Sequence, residues 1–377
     1  MLISYVKQVI LFPRLIYPAL FFLFVSSPAH ALETIFITGF SQSVSEDADT
    51  NSVVLMSING GLSWTSNFFP LRETRSITAL NSTNYFAVGG TSGTNPTGYT
   101  FSTTGGSQAV SSGLLQSVDA VSGTYYTAGA TTNGANGTIL KSTNGTTWTT
   151  QVSSGPKLNG ISASDSSVAY AVGDNGTVQK TTNGGTNWSS QTTDSNYVLY
   201  GVNTVNATTA YAVGKNGNHG VILKTTDGTN WLTVQTVLDA PLNAISVVEA
   251  APNVAFAVGD TIDDGITVST PILQTTDGST WRDMGFATNN KGGLSSVYAV
   301  SSTKAYAVGV IGSVAKLDGT SWVDISASIP AEYRGYNFTG VSVFVTVPEP
   351  STIILSVVAV SVLAIIQRTR RSAPKPV

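Results

Sequence analysis

Cysteine is absent from this chain of 377 residues, and charged residues make up only 10% of it, against about 25% in an average soluble protein. The missing thiols exclude a disulfide framework and any thiolate metal site. Histidine is almost absent as well, because His219 is the only one outside the N-terminal segment. This scarcity argues against a histidine-rich metal centre and against a Ser–His catalytic relay. We therefore predict no metal and no cofactor.

Basic residues are also scarce. Residues 32–347 contain 12 Lys and Arg against 20 Asp and Glu, a net charge of −8. Binding to nucleic acid begins with neutralisation of phosphates, so an acidic body of this kind argues against a nucleic-acid partner. The balance favours a soluble surface outside the cell.

The chain is instead rich in a repeated tetrad that is led by tyrosine or phenylalanine and ends in glycine. Successive copies lie 40–50 residues apart, a period typical of repeat architectures. The copies end at Gly39, Gly89, Gly129, Gly173, Gly214, Gly259 and Gly309. A threonine- and glycine-rich turn follows each tetrad and closes on tryptophan in six repeats: Trp64, Trp148, Trp188, Trp231, Trp281 and Trp322. In the remaining repeat, Gln108 takes the tryptophan position.

One unit read in full predicts four short strands, at residues 158–163, 168–172, 177–181 and 186–191. The turn before the fourth strand contains Asn183-Gly184, and Asn-Gly between alternating runs is a strong hairpin signal. Four antiparallel strands in a unit of this length form a propeller blade. The sequence therefore predicts an all-β fold, a β-propeller of seven four-stranded antiparallel blades.

The repeat count also predicts how the ring closes. The first tetrad, Phe36 to Gly39, has no strand before it, whereas residues 338–344 match a first strand but are followed by no tetrad. We infer that this last strand becomes the innermost strand of the first blade, which would leave no open sheet edge in the ring.

The turns before the tryptophans resemble a known repeat. Residues 57–64 and 181–188 look like the Asp-box (BNR) repeat, and four further copies, such as residues 225–231, are one residue shorter. Combined with the tetrads, the pattern is similar to the photosystem II assembly-factor family of seven-bladed propellers. This resemblance implies that the tyrosines, tryptophans and box residues pack blades and tie turns.

The N-terminus has the order of a secretory signal peptide. Lys7 and Arg14 precede an apolar run over residues 15–25, and small residues lead to Ala31. We expect cleavage after Ala31, with residues 1–31 as signal peptide and residues 32–346 as the propeller. A membrane anchor that is retained is the alternative.

The C-terminus, residues 347–377, carries the pattern of a second targeting signal. Pro348-Glu349-Pro350 leads into an apolar run over residues 353–366, followed by the basic residues Arg368, Arg370 and Arg371. A helix over that run would be about 21 Å long, a short transmembrane anchor. The order resembles the PEP-CTERM sorting signal of Gram-negative bacteria. That resemblance implies an exosortase-type processing enzyme, transient anchoring in the inner membrane, and release to a cell surface or extracellular matrix rich in exopolysaccharide.

Loop length varies most on one face of the predicted propeller, where the loops after the tetrad glycines meet the connections between blades. We expect a ligand site there, formed by Arg72, Arg75, Tyr333 and Arg334, for an anion or a saccharide. The alternative is that these arginines pair with Glu73 and Glu332 at the surface.

Two acidic stretches are candidate metal loops. The first contains Asp47, Asp49 and Asn51, and the second contains Asp260, Asp263 and Asp264. A solvated insertion is the favoured interpretation of both.

Asp boxes also occur in sialidases and other glycoside hydrolases. Only four arginines lie in residues 32–347, however, and no Phe/Tyr-Arg-Ile-Pro segment is present. We predict a non-catalytic binding or structural module of the cell surface, with exopolysaccharide or a surface protein as partner. The alternatives are an assembly factor for a membrane protein complex and a sialidase-like glycoside hydrolase.

Overall fold

A computed structural model describes residues 32–41, 51–91, 96–103, 106–132, 134–237, 239–263, 268–286 and 292–346. The predicted signal peptide with Ala31, the Pro348-Glu349-Pro350 motif, the predicted helix over residues 353–366 and the basic residues Arg368, Arg370 and Arg371 lie outside these ranges. Those assignments stay predictions. In the part of the chain that the structure describes, no helix is both long and apolar enough to cross a membrane.

The described residues form thirty strands and three single turns of 3-10 helix. The strands are β1 (Leu32–Ser41), β2 (Ser52–Ser57), β3 (Thr65–Phe69), β4 (Glu73–Ala79), β5 (Tyr85–Gly90), β6 (Thr97–Ser102), β7 (Gly106–Ser112), β8 (Leu115–Val121), β9 (Thr124–Ala130), β10 (Gly137–Ser142), β11 (Thr149–Val152), β12 (Leu158–Ala163), β13 (Ala169–Gly173), β14 (Thr177–Thr181), β15 (Ser189–Thr192), β16 (Tyr197–Thr204), β17 (Ala210–Asn216), β18 (His219–Thr225), β19 (Leu232–Val237), β20 (Leu242–Val248), β21 (Ala251–Gly259), β22 (Ile262–Asp263), β23 (Val268–Ser269), β24 (Ile272–Thr275), β25 (Arg282–Asp283), β26 (Leu294–Ser301), β27 (Lys304–Gly309), β28 (Val314–Asp318), β29 (Ser321–Asp324) and β30 (Tyr336–Thr346). The 3-10 turns are Asp174–Gly176, Ser326–Ser328 and Ala331–Tyr333.

Twenty-eight of these strands form seven four-stranded antiparallel sheets, and β22 and β23 form a small hairpin inserted into the sixth. Listed from the inner strand outward, blade 1 is β30-β1-β2-β3, blade 2 is β4 to β7, blade 3 is β8 to β11, blade 4 is β12 to β15, blade 5 is β16 to β19, blade 6 is β20-β21-β24-β25 and blade 7 is β26 to β29. The first strands of neighbouring blades pack side by side around a closed ring. The predicted seven-bladed propeller is confirmed.

The burial pattern explains why these segments form these strands. Second strands carry the tetrads and are buried on both sides, as in β13, where every residue is buried. They lie between two neighbouring blades, so continuous apolar runs suit them. Fourth strands, such as β3 with its Thr, Ser and Asn residues, lie at the outer rim and are mostly exposed. Polarity along the chain thus follows the distance of each strand from the axis.

The last strand closes the ring as predicted. β30 pairs antiparallel with β1 from Leu32 opposite Thr346 to Ser41 opposite Tyr336. Thr339 also donates through its hydroxyl to the carbonyl of Thr74 in blade 2 at 2.8 Å. The inner strand of blade 1 is therefore tied both to its own sheet and to the next blade.

Aromatic contacts tie the tetrads of blades 3 to 6 to the following blade, and this matches the structural role implied by the sequence resemblance. In blades 3 to 6 the tetrad aromatic meets the tryptophan of the next blade edge to face, with ring centroids 5.8–6.4 Å apart. The pairs are Tyr126–Trp188, Tyr170–Trp231, Tyr211–Trp281 and Phe256–Trp322. Blade 2 has Gln108 at the tryptophan position. The amide of Gln108 donates instead to the carbonyl of Thr146 in blade 3, at 3.1 Å.

We call the Asp-box-like turn between the third and fourth strand of a blade its box turn. In the longer copy of blade 1, Asn59 Oδ1 accepts hydrogen bonds from the backbone N–H groups of Leu62 and Ser63, at 3.1 and 3.0 Å. In the shorter copy of blade 5, Asp227 Oδ1 accepts from Thr229 and Asn230, each at 2.8 Å. The missing residue therefore shifts the same hydrogen-bond pattern by one position and preserves the turn.

A lysine that sequence reasoning missed reinforces the box turns. Lys180 Nζ donates to the carbonyl of Gly228 in the next blade at 2.9 Å and lies 5.2 Å from the ring centre of Tyr170. Lys141 and Lys224 do the same one blade earlier and one blade later, with Gly184 and Gly278. In blades 3, 4 and 5 the lysine before the box turn is thus a link to the next blade.

Candidate functional site

Each tetrad glycine lies opposite a β-bulge in the first strand of its blade. In blade 2, Gly89 pairs with Thr74 and Val88 pairs with Ser76, so that Arg75 is an extra residue without a partner in the ladder. A β-carbon on Gly89 would collide with the carbonyl oxygen of Glu73, which approaches the glycine closely. The same collision would occur at all seven tetrad glycines, each with a carbonyl in or directly before the first strand of its own blade. The glycines are therefore required by the bulges.

The seven bulge residues line one cavity at the end of the central channel. They come from every blade and are Arg75, Gln116, Asn159, Tyr200, Asn243, Ser295 and Thr339. All seven border a cavity of about 450 Å³, together with Lys157. We call this set the mouth ring. It lies near the start of each first strand, on the face where blade connections and loops after the tetrad glycines meet.

Two asparagines of the mouth ring are held in place by their neighbours. Asn159 Nδ2 donates to Asp174 Oδ1 at 2.9 Å and to Leu199 O of the next blade at 3.0 Å. Asn243 makes the equivalent bonds in blade 6, to Asp260 Oδ1 at 2.7 Å and to Leu294 O at 3.0 Å. These contacts fix both amide groups by donation through nitrogen, and each keeps a carbonyl oxygen that can accept a bond from a ligand.

The cationic side chains at this end of the channel differ in their contacts. Arg75 forms an ion pair with the buried carboxylate of Glu73, and its guanidinium lies 4.8 Å from the ring centre of Phe40. Lys215 lies 6.0 Å from the ring centre of Tyr200, a mouth-ring residue. Positive charge therefore borders the mouth on two sides, but a carboxylate partly offsets that of Arg75.

A second polar ring lies deeper in the channel, three residues after each bulge. Its members line a cavity of about 400 Å³ and are Thr78, Asp119, Ser162, Asn203, Ser246, Tyr298 and Ser342. Four members accept a hydrogen bond from a backbone N–H of the next blade, with Asp119 Oδ2 taking that of Ala163 at 2.9 Å. We call this set the deep ring. Its hydrogen bonds join the first strands of neighbouring blades.

Burial changes the acidity of two deep-ring residues. It raises the pKa of the Asp119 carboxyl above its ordinary value, against the opposing effect of the N–H groups of Ala163 and Ala120. Burial and the carboxylates of Glu249 and Asp119 raise the pKa of Tyr298 to about 12. The deep ring is thus a poor place for further negative charge.

The structure separates the four residues predicted to bind a ligand. Arg75 lines the mouth, whereas the guanidinium of Arg72 stacks on Tyr99 at 4.0 Å from the ring centre. Arg334 donates to the carbonyls of Ile329 and Ala327 in its own loop, at 2.9 and 2.7 Å. Tyr333 packs edge to face on Tyr336 and donates to Ser66 Oγ at 3.2 Å.

Of the four residues of the predicted ligand site, Arg75 is therefore the one that lines the cavity of the mouth ring. Its pairing with Glu73 is the alternative that the sequence left open for this residue.

The acidic stretches show no assembled metal site in the described ranges, where no group of three or more His, Asp or Glu side chains converges. Asp47, Asp49 and Asp264 lie outside those ranges. Asp260 is engaged by the amide of Asn243, and His219 Nδ1 lies 3.8 Å from the carboxylate of Asp239.

The mouth ring was missed by sequence reasoning, although a signal for it exists. The first strands repeat a pattern in which the bulge residue stands between an apolar or threonine position and a small residue, followed by a β-branched one. Examples are Leu158-Asn159-Gly160-Ile161, Leu199-Tyr200-Gly201-Val202 and Phe338-Thr339-Gly340-Val341. An alignment of these seven first-strand segments would have placed the seven bulge side chains at one level of the channel.

Comparison with known proteins supports the fold. No model of a known protein family matches the chain, and no curated protein sequence matches it. Among solved structures, the GH74 enzyme of Niastella koreensis is similar over 75% of this chain with a TM-score of 0.51 and 17% identity. The matched region spans only 53% of that enzyme.

A second similar structure is YCF48 bound to a D1 peptide, which matches 78% of this chain and 99% of its own length, with a TM-score of 0.50 and 14% identity. YCF48 from Cyanidioschyzon merolae matches 67% of this chain and 84% of its own at 17% identity, with a TM-score of 0.44. At these identities the first two similarities establish a shared β-propeller fold, which occurs both in an enzyme and in a protein that binds a peptide.

Proposed function

We propose that this protein is an exported, surface-associated propeller that binds a polar polymer, with exopolysaccharide as the favoured class, without transforming it. The observation that carries the proposal is the mouth ring, where all seven blades present a hydrogen-bonding side chain to one cavity. The signal-peptide and sorting-signal patterns support export and transient anchoring, with an exosortase-type enzyme as processing partner. The variable loops border the same face as the mouth.

The chemistry of the mouth suits a saccharide. Carboxamides and hydroxyls offer donors and acceptors at fixed positions, and Tyr200 adds an aromatic ring with a polar tip. Arg75, Lys157 and Lys215 add positive charge, which favours a chain carrying carboxylate or sulfate groups. An acidic exopolysaccharide is therefore the ligand class that the described residues fit best.

The two arginines of blade 2 supply a matched test. Arg75→Gln removes the guanidinium from the mouth, and we expect about tenfold weaker binding of acidic glycans on an array, the loss of one charge-assisted contact. Arg72→Gln alters a guanidinium that stacks on Tyr99 instead, so its binding should stay within about twofold of the unaltered protein. Equal losses in the two variants would contradict a ligand at the mouth.

Glu73→Gln tests the same contact in the opposite direction. The change removes the carboxylate that pairs with Arg75, so the guanidinium becomes available to a ligand. We expect tighter binding of acidic glycans and unchanged binding of neutral ones. Thermal unfolding of all three variants serves as the control for folding.

Peptide binding is the second candidate function, and the similar structure solved with a D1 peptide favours it. A ring of carboxamides and cations would also hold an extended peptide or its carboxylate end, which would fit an assembly role for a membrane complex. A peptide array run with the same three variants separates the candidates. Binding to peptides that depends on Arg75, with none to glycans, would replace the saccharide proposal.

A hydrolase is the third candidate, and it needs two facing carboxylates. Asp174 and Asp260 lie behind the mouth ring, and each accepts a hydrogen bond from a ring asparagine. Release of reducing ends from a bound glycan, abolished by Asp174→Asn or Asp260→Asn, would favour this candidate.

A further inference from the structure

The box turn of blade 1 breaks the repeat with two exposed apolar side chains. Ile58 and Leu62 are 67% and 79% exposed to solvent. The other full-length copy, in blade 4, has Thr186 at the position of Leu62. Blades 3 to 6 all have threonine at the position of Ile58: Thr143, Thr182, Thr226 and Thr276. Relative to blades 3 to 6, blade 1 therefore has apolar residues where the box turn is otherwise polar.

A third exposed apolar side chain lies at the same end of this blade. Leu32 begins β1 and is 65% exposed. β1 and β2 pair with Ile35 opposite Ser57, so continuing both strands brings Leu32 to the level of the box turn. Strands of one sheet are about 4.8 Å apart. Leu32, Ile58 and Leu62, which we call the apolar edge, thus share the box-turn face of blade 1.

The chain leaves the propeller at this edge. β30 ends at Thr346, which pairs with Leu32, and the Thr346 hydroxyl donates to Leu32 O at 2.9 Å. Six residues, 347–352, separate Thr346 from the apolar run over residues 353–366. Six residues span at most about 20 Å when fully extended. A membrane anchor in that run would hold the apolar edge close to the bilayer surface.

We propose that the apolar edge inserts into the headgroup region of the lipid bilayer while the chain is anchored. Exposed apolar side chains that cluster at one edge of a folded domain are typical of interfacial contact with lipid. This orientation directs the opposite face, with the mouth ring, away from the membrane. The inference rests on the anchoring that forms part of the proposed function.

The absence of cysteine makes a direct test possible. Single Ile58→Cys and Leu62→Cys variants of the full chain are labelled with an environment-sensitive fluorophore and added to vesicles of phosphatidylethanolamine and phosphatidylglycerol. Thr182→Cys and Thr186→Cys in blade 4 are the matched controls, because they occupy the same turn positions on the same face. We expect blue-shifted emission at positions 58 and 62, with about threefold stronger quenching by nitroxide lipids than at positions 182 and 186.

Each other outcome overturns the inference in a different way. If the chain floats with the vesicles but all four positions are quenched alike, anchoring holds and insertion of the apolar edge does not. If positions 58 and 62 are blue-shifted without quenching by lipid, a protein surface covers the edge instead. If the chain does not float with the vesicles, the anchoring in the proposed function fails, and the inference fails with it.

Discussion

A glycine that permits a bulge is the residue-scale feature on which the propeller depends. At each tetrad glycine a carbonyl in or directly before the first strand approaches so closely that a β-carbon has no space. The bulge then turns one extra side chain of that strand toward the channel. One glycine in a buried second strand therefore determines which residue of the neighbouring strand reaches the mouth.

This geometry predicts that Gly173→Ala destabilises the protein. The new methyl group would collide with Lys157 O in a rigid part of the sheet, and we expect a loss of about 3 kcal/mol in the free energy of unfolding. Gly335→Ala is the control, since no heavy atom lies within 4 Å of a β-carbon there. Chemical denaturation of both variants measures the difference, and equal midpoints would show that the bulge does not need the glycine.

At the scale of the element, the box turns use two side chains for one task. Asn59, Asn144 and Asn183 accept the turn's backbone N–H groups in three blades, and Asp227 and Asp277 accept them in two others. The amide and the carboxylate are similar in shape, but only the carboxylate titrates. The turns of blades 5 and 6 are therefore sensitive to acid in a way that those of blades 1, 3 and 4 are not.

The pKa of Asp227 is held well below its ordinary value by the N–H and side-chain amide of Asn230 and by the N–H of Thr229. Hydrogen bonds from Thr280 and Ser279 lower the pKa of Asp277 in the same way. A carboxyl with a lowered pKa in the folded state stabilises that state above its unfolded pKa, near 3.8, and loses this contribution as the pH falls further.

We therefore expect the double variant Asp227→Asn, Asp277→Asn to flatten the loss of stability below about pH 4 and to be less stable than the unaltered protein at pH 7, because the amides lack the contribution of the carboxylates. Unfolding midpoints in urea between pH 2 and pH 7 provide the measurement. The asparagines in the equivalent turns show that the amide fits. If the double variant loses stability below pH 4 as steeply as the unaltered protein, other carboxylates are responsible for the acid sensitivity.

The elements were predictable from sequence where their signals are local. Asn-Gly turns and period-two runs predicted β12 and β14 at their observed bounds, and the fourth strand of that blade begins only three residues later than expected.

The site was less predictable, because a bulge adds a residue that strict alternation does not anticipate. Arg72 and Arg75 are close in sequence, yet stacking on Tyr99 and pairing with Glu73 direct them to different places. The side chain of Arg334 instead donates hydrogen bonds to carbonyls of its own loop.

At the scale of the whole molecule, closure makes the first and last strands one structural unit. β30 supplies the buried side chains Phe338, Val341 and Val343 to the cluster between blades 7 and 1. It also supplies Thr339 to the mouth ring and Ser342 to the deep ring. The predicted ligand site and the integrity of the ring thus share one strand.

A chain truncated after Arg334 should be far less stable than one truncated after Thr346. The shorter chain lacks β30, and loss of three buried apolar residues at about 2 kcal/mol each removes about 6 kcal/mol, before counting the open edge of β1. Thermal unfolding of the two chains measures the difference. Coincident midpoints would mean that the ring does not depend on β30.

The pairing of Leu32 with Thr346 has a mechanical consequence. The start of β1 and the end of β30 lie side by side at one end of their ladder, so a force that separates Leu32 from Thr346 would break the pairs one at a time from that edge. A pull on one end alone, against drag on the body of the propeller, would instead load β30 along its length and engage many pairs together. The ring should therefore resist tension from a single tether far better than tension applied across its two ends.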